Sequence, residues 1–575
     1  MRVAVLGAGV AGLTAAHELV ERGVEVEVYE RLDAAGGKAR SIAVDWGDGA
    51  YTLPGEHGFR YFPGFYRHVI DTMRRIPFGP GTVLDHLTDA HESMFAEAGY
   101  APIETPAMGP TSLHDVLEGL KALKAIEHAV TKPELHLFGR KLWQAMTSCS
   151  ARRFAEYENQ SWSTFLEARE QNEAYNTWFA GGITRTLVAA SGERASARTV
   201  GDITVQLFVT SWRPGYPSDR LLDGPTSDVW IDPWLRYLES SGRFNIHYGH
   251  TVRSLLIEKA SSDRHSIAGV EIEGPGGQRE TVVADAYVAA MPVEVLASLV
   301  TDDLARVAPT LGLARSLASH VRWMAGIQIY LRKDTRIVAG HSIYVGAPWG
   351  LTSVSQQQFW PHLNLAERSG GEVEGVLSVD ISDWESKGFN GKTAKECSRE
   401  EICEEVLEQL RRCLGETPGV DLSPENIAGF FIDPDIIFFP DGGPPERNYE
   451  PLLVNELGSW WIRPNAYTEI PSLYLAGDFV RNNTDLATME GANEAARRAV
   501  NALVADFRLD APLCRLWDLH EPELLAPLRW IDSLRFSRGK PWSPGFPAPL
   551  VWLARVVTRA SSWLSGGRRR TPRSR

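Results

Sequence analysis

Cysteine is scarce in this 575-residue chain. There are five, at Cys149, Cys397, Cys403, Cys413 and Cys514, an odd number with no C-x-x-C pair. That excludes a disulfide framework and a thiolate zinc site, and it suits free thiols in a reducing compartment. Basic charge is in deficit as well, 59 Lys and Arg against 73 Asp and Glu, for a net charge of −14. A protein built on nucleic-acid phosphates needs the opposite balance, so no nucleic-acid partner is expected. No apolar run reaches the ~18 residues of a membrane span. The first strand starts almost at Met1, where a secretory leader would stand, so a cytoplasmic body is expected. Internal repeats and a metal-ligand cluster are lacking too. What remains is 43% hydrophobic and 23% charged, ordinary for a globular chain. Its length asks for two structural domains and a tail.

The densest information lies in the first forty residues. Val3–Leu6 is a short apolar run that reads as a buried parallel strand. It leads into Gly7-x-Gly9-Val10-Ala11-Gly12, after which Leu13–Glu21 has helical apolar spacing. Gly7 permits the tight turn, Gly9 lets backbone approach a pyrophosphate, and Gly12 allows helix and strand to pack closely. The helix start then offers free N–H groups and partial positive charge to phosphates. A second strand, Val24–Tyr29, ends in Glu30-Arg31, with the acid placed for ribose hydroxyls.

The following run, Gly36-Gly37-Lys38-Ala39-Arg40, resembles the second glycine motif of two-dinucleotide-binding-domain flavoproteins. In those proteins it crosses the pyrophosphate and ribityl chain of FAD. Read without the resemblance, it is a basic surface turn. Gly55-Glu56-His57-Gly58-Phe59-Arg60-Tyr61-Phe62-Pro63, with a helix expected from about Phe65 to Arg75, is similar to a segment of plant-type phytoene and ζ-carotene desaturases. There it lies under the flavin ring, which implies cofactor contacts from Gly55, His57 and Gly58. An imidazole side chain can take up a proton, which makes His57 a candidate base. It reads first, however, as a histidine that shapes the flavin loop through hydrogen bonds.

Leu473-Tyr-Leu-Ala-Gly477-Asp478, then Thr488-Met489-Glu490-Gly491-Ala492 and a helix to about Val504, resembles the carboxy-terminal FAD motif of the amine-oxidase and phytoene-desaturase superfamily. The resemblance implies that Gly477, Asp478, Met489, Glu490 and Ala492 meet the cofactor. It also aims a helix amino terminus at the flavin edge where reduction deposits charge. Phe244–Tyr248, Thr251–Leu255, Ile267–Ile272 and Thr281–Val288 look like the superfamily's insertion, the last two as hairpin strands around Gly274–Gly277. Val252 then meets the adenine through its main chain. The implied fold is α/β: a Rossmann-like FAD-binding domain of residues 1–95, 221–300 and 449–505. A discontinuous α+β substrate domain of 96–220 and 301–448 and a helical extension of 506–575 complete it.

Within the substrate domain, Ser112–Ile126, Leu135–Met146 and Trp162–Gln171 have helical spacing and suggest a cap over a cavity, their aromatics lining a tunnel or simply filling core. Glu400–Leu414 reads as a helix with a solvated charged face. Which substrate is held divides the superfamily. Amine oxidases carry an aromatic residue just before their Met-Glu-Gly-Ala, where this chain has Thr488. They also commonly carry a flavin-facing lysine, where this chain has Arg322-Trp323-Met324-Ala325. Both differences favour an apolar, isoprenoid or carotenoid-like small-molecule substrate dehydrogenated by FAD, in the manner of phytoene desaturase or hydroxysqualene dehydroxylase. Oxygen or a quinone would take up the electrons. One departure runs the other way, since an arginine of the plant-type desaturases aligns near Val209, a turn before Arg213. A flavin amine oxidase and a flavin-dependent carotenoid isomerase remain the alternatives. His57, Arg60 and Thr488 are the candidates at the reacting centre.

Beyond a proline-rich break at 541–549, Leu550, Leu553, Val557, Ala560 and Leu564 form an apolar stripe near Trp552 and Trp563, with Arg555 and Arg559 beside it and Arg568–Arg575 as a basic end. Residues 541–575 therefore suit an anionic membrane surface, with docking on the protein's own body as the other reading.

Overall fold

A computed structural model describes residues 1–112, 115, 129–182, 184, 191–261 and 264–544. Two sheets carry the architecture. The first is parallel and five-stranded, in the order Phe244–Tyr248, Glu25–Glu30, Arg2–Leu6, Ala286–Ala289, Leu473–Leu475. Its strands come from three distant stretches of chain. Arg2–Leu6 sits centrally, with Val3, Val5 and Leu6 fully buried, as a strand covered on both faces must be. Helix Val10–Val20 follows it, and the carboxy-terminal helix Met489–Asp506 packs alongside, Asn493 Nδ2 donating to Thr14 Oγ1 at 2.9 Å.

The second sheet has seven strands. Their order is Ile103–Pro106, Glu92–Glu97, Gly340–Val345, Leu351–Ser355, Gly375–Ile381, Ala325–Leu331 and Ile427–Ile432. All neighbours are antiparallel except Glu92–Glu97 with Gly340–Val345. Glu92–Glu97 is thus hydrogen-bonded into this sheet, although its first four residues belong to the block 1–95 expected to stay with the glycine motif. Helix Arg399–Leu414 covers one face with Ile402, Val406, Leu407, Leu410 and Leu414. Its charged side is not wholly solvated. Glu405 is buried and accepts the backbone N–H groups of Phe389 and Asn390.

Three expectations need correction. Thr281–Val288 is not one hairpin strand. Arg279–Val282 closes a three-stranded antiparallel sheet with Thr251–Ser261 and Arg264–Glu273, whereas Ala286–Ala289 enters the parallel sheet. Trp162–Gln171 is not one helix. It breaks into Trp162–Phe165 and a tighter turn at Ala168–Glu170, because Glu167 takes a left-handed φ of 57°. The helix that starts under the flavin-loop segment is shorter than expected, His68–Arg75. Lys132–Thr147 does form the expected helix, started by a Thr131–Glu134 capping box. Most of Ser112–Ile126 and all of 545–575 lie outside the described residues. Trp162, Phe165, Trp178 and Phe179 fill a core of their own. None of the four lines the large cavity.

Candidate active site

A cavity of about 520 Å³ opens at the carboxyl ends of the five parallel strands and runs to the seven-stranded sheet. Leu6–Gly7, Glu30, His250, Ala290 and Gly477 all lie at or just past a strand end and line it, which is where open α/β sheets bind ligands.

The glycines explain the cavity's floor. Gly7 has φ 113°, which only glycine holds without strain, and an added Cβ at Gly12 would fall on the carbonyl oxygen of Gly7. Gly36 donates its N–H to Ala8 O at 2.8 Å, so the two glycine loops are hydrogen-bonded, and a Cβ added at Gly37 would come to 3.0 Å from the Gly9 α-carbon. No side chain caps the helix at Gly9. The N–H groups that open the helix are left without the side-chain partner a cap would supply, and Val10 and Ala11 line the cavity there. Glu30 stands at the edge with one carboxylate oxygen accepting Ala8 N–H at 2.7 Å and the other Leu32 N–H at 2.9 Å. A dinucleotide's pyrophosphate and ribose fit this cradle: open backbone, a positive helix end and an oriented carboxylate. Arg31, Gly36, Gly37, Lys38, Ala39, Val252, Gly477, Asp478, Met489 and Ala492 line the same cavity.

Three expected contacts take other places, while Gly12 keeps its own. Gly12 serves packing, as its proposed role requires. Gly55 lies in a strand against Phe431 and Val44. Arg40 is turned into a buried acidic cluster, 2.6 Å from Asp435 and 3.7 Å from Glu450. The Glu490 side chain points away from the cavity and accepts the backbone N–H groups of Arg67, His68 and Val69, together with His68 Nδ1, at 2.7–2.9 Å. Burial alone would raise its pKa, but these donors hold it below the usual carboxylate range. It caps the helix that follows the flavin-loop segment.

His57 lines the cavity with both nitrogens engaged, Nδ1 at 2.8 Å from Asp433 Oδ2 and Nε2 at 3.2 Å from Met324 O. Both neighbours are acceptors, so no ring lone pair is turned to the cavity as a base requires. Arg60 donates to Gly58 O and Lys38 O, tying the two loops together. Thr488 caps helix Met489–Asp506 by accepting Gly491 N–H at 3.2 Å and is hydrogen-bonded to Tyr66.

Sequence reasoning missed the substrate-side wall: Tyr61, Tyr66, His341, Thr352, Asp380 and Asn455. A carboxylate near the end of the largely apolar strand Gly375–Ile381 was the available signal for Asp380. Burial pushes its pKa up to about 7 against the pull of Arg60 and His57. It also missed Asp485, at φ 48°, which accepts from Arg198 at 2.5 Å, Arg463 at 2.6 Å and Asn455 at 3.0 Å. That buried clamp fixes the loop Leu486–Thr488 on the cavity wall.

Comparison with known proteins agrees with this geometry. The family model of flavin containing amine oxidoreductase matches residues 10–504. The 15-cis-phytoene desaturase of Synechococcus elongatus is 26% identical over 519 residues, 88% of this chain and 96% of that relative. The zeta-carotene desaturase of a Synechocystis strain is 28% identical over 313 residues, 53% of this chain and 60% of the relative. Among solved structures, a putrescine oxidase with bound putrescine aligns with a TM-score of 0.56 at 16% identity, covering 88% and 99% of the two chains. An oxidoreductase from Methanosarcina mazei aligns with a TM-score of 0.55 at 14% identity, covering 86% and 99%. These two likenesses concern the fold.

Proposed function

This chain belongs to the flavin containing amine oxidoreductase family and is an FAD-dependent oxidoreductase, and on that premise we propose that it removes a hydride from an apolar, isoprenoid or carotenoid-like substrate. FAD, when bound, supplies the hydride acceptor. Gly9, Val10 and Ala11 would face the pyrophosphate, Glu30 the ribose, and Val252 the adenine. Asp478 and the start of helix Met489–Asp506 would stand at the flavin end, where that helix's positive end favours developing negative charge. Arg60 and His57 hold the loops in place. They move no proton in this geometry.

The observation that carries the substrate reading is Thr488. A small side chain, tied back by Gly491 and Tyr66, occupies the place where an amine cage has an aromatic wall. Phe59 and Tyr61 flank His341 edge-on and at 41° instead of forming two parallel plates. Met324 immediately precedes strand Ala325–Leu331, in the stretch where amine oxidases commonly carry a lysine. The phytoene desaturase relative, aligned along nearly its full length, supports the same reading. Anaerobic mixing tests it. Flavin bleaching by a polyene or squalene derivative is expected, bleaching by amines alone overturns the reading, and product without lasting bleaching points to isomerisation. Reoxidation by oxygen against reoxidation by a quinone then identifies the acceptor.

The reading includes an anionic membrane surface as the place of work. Residues 526–575 hold eleven Lys and Arg and one acid, a charge of +10, in a chain whose total is −14. Helix Ala526–Phe536 is fastened by buried Asp532, which accepts Arg152 Nε at 3.0 Å and Cys149 N–H at 2.9 Å. Its outer side leaves Trp530 64% and nearby Leu524 89% exposed, with Ile531 and Leu534 beside them. Arg535, Arg538 and Lys540 follow. An apolar stripe with a basic border suits a lipid headgroup layer.

A further inference from the structure

Resting on the proposed apolar substrate, we propose that the ligand of this chamber carries a neutral oxygen function, a hydroxyl or carbonyl, on its isoprenoid skeleton, and that His341 receives it.

The argument starts from strand register. Gly326 pairs with Asp380, and Asp380 pairs with Thr352, across three adjacent strands of the seven-stranded sheet. Thr352 pairs in turn with Ile343, and His341 lies two residues before it on the same strand. Directly opposed residues share a face of a sheet, and so do residues two apart along a strand. One face therefore presents His341, Thr352 and Asp380 together, and all three line the cavity.

His341 is 6% exposed, yet among the described residues its buried Nε2 has no hydrogen-bond partner. Its neighbours are the rings of Phe59 and Tyr61, each at 5.2 Å between centroids. A buried nitrogen without a partner has lost its water and gained nothing in return, so such groups are rarely left without a purpose. Burial drives its pKa down to about 4, so at neutral pH it offers one donor and one acceptor and no charge. Asp380 Oδ1 and Arg60 Nε, on the same lining, are also without partners.

This set selects by chemistry. A pure hydrocarbon leaves all of these groups unpaired. A carboxylate that pairs with Arg60 is repelled by Asp380, and an ammonium that pairs with Asp380 is repelled by Arg60. A neutral oxygen can donate to or accept from an uncharged imidazole and a threonine hydroxyl. It is the class that leaves least unsatisfied.

The test uses the full FAD-loaded chain and two probes of one skeleton, farnesol and the hydrocarbon farnesene, with binding read from the perturbation of flavin absorption and tryptophan fluorescence. Farnesol should bind at least ~10-fold more tightly, since a site built for a hydroxyl rejects the analogue that lacks it. H341F should bring the two within about twofold while leaving farnesene unchanged, because only the polar partner is lost. T352V, which removes a hydroxyl at constant shape, should lower the preference in part and serves if H341F fails to hold FAD. Equal affinities in the unaltered protein, a preference that survives both variants, or binding of neither probe overturns the proposal. Tight and equal binding of both probes spares the apolar-substrate reading. Silence toward both, with bleaching by an amine, removes that reading too.

Discussion

The two sheets that enclose the cavity work by opposite means. The five-stranded sheet meets its ligand with backbone: glycines, strand ends, an uncapped helix start. The seven-stranded sheet meets its ligand with side chains standing on one face. The first is therefore intolerant of any added atom and indifferent to most side-chain chemistry, and the second is the reverse. The sharpest way to break this contrast is Gly12→Ala. The new Cβ would land on the Gly7 carbonyl, parting helix from strand under the pyrophosphate cradle. Retention of FAD should fall at least ~100-fold, read as flavin absorbance per protein after gel filtration. H341F, on the other sheet, should keep a full flavin complement. FAD retention by the Gly12 variant would end the distinction.

The next effect tests whether a residue in the carboxy-terminal motif belongs to cofactor chemistry or to folding. Glu490, itself 3% exposed, accepts three backbone N–H groups and His68. Glu490→Gln loses the charge that strengthens these bonds and should lower unfolding free energy by about 3 kcal/mol, as breaking a buried pair does. Flavin stoichiometry should be unchanged. The sign with pH follows from its depressed pKa. The stabilisation is complete above the unfolded carboxylate range and is lost as pH falls through the folded value. Chemical denaturation from pH 7 downward should show the unaltered protein approaching the variant.

Legibility of the molecule divided along the same line as its two sheets. The turn at Gly7, the acid at Glu30 and the helix capped by Thr488 are short-range features with a fixed spacing, so the residues themselves announce them. Glu490 was misplaced because a motif gives positions and not directions. It sits among cofactor-facing neighbours, but its side chain turns to the helix behind. Arg40 failed in the same way, drawn off by Asp435 and Glu450 from far along the chain. The substrate wall was illegible for a different reason. His341, Thr352 and Asp380 become neighbours only through antiparallel register, and Glu92–Glu97 joins Gly340–Val345 across nearly 250 residues. No local pattern encodes such a pairing. Trp162 to Phe179 drew attention because they are aromatic, and they turned out to fill a core.

Asp380 sharpens the comparison from the side-chain sheet. Its folded pKa of about 7 lies above the ordinary carboxylate value. The folded protein then holds a proton that the unfolded chain has released, and stability declines as pH rises from about 4 to about 7, with no further change beyond. Asp380 is only partly buried at the cavity wall, so about 2 kcal/mol is the scale expected. Asp380→Asn should erase that slope and be relatively more stable at pH 8 than at pH 4. A constant difference between the two proteins across this range would mean that the carboxyl is not under burial stress.

The smallest effect concerns a surface outside both sheets. Helix Ala526–Phe536 is held by Asp532, and its outer residues touch neither cavity nor core. Trp530→Ser with Ile531→Ser should shift unfolding free energy by no more than about 0.5 kcal/mol, as exposed positions do. Vesicles containing anionic lipid should nevertheless bind the variant about tenfold more weakly, because a tryptophan and an isoleucine no longer enter the headgroup layer. Changing Arg535, Arg538 and Lys540 to glutamine should weaken the same binding by about 1 kcal/mol per charge at low salt, a loss that added salt masks in the unaltered protein. The two kinds of substitution act on different forces, so their salt dependence separates them. Binding that survives both would shift the membrane contact to another part of the chain and leave the apolar stripe to some other partner.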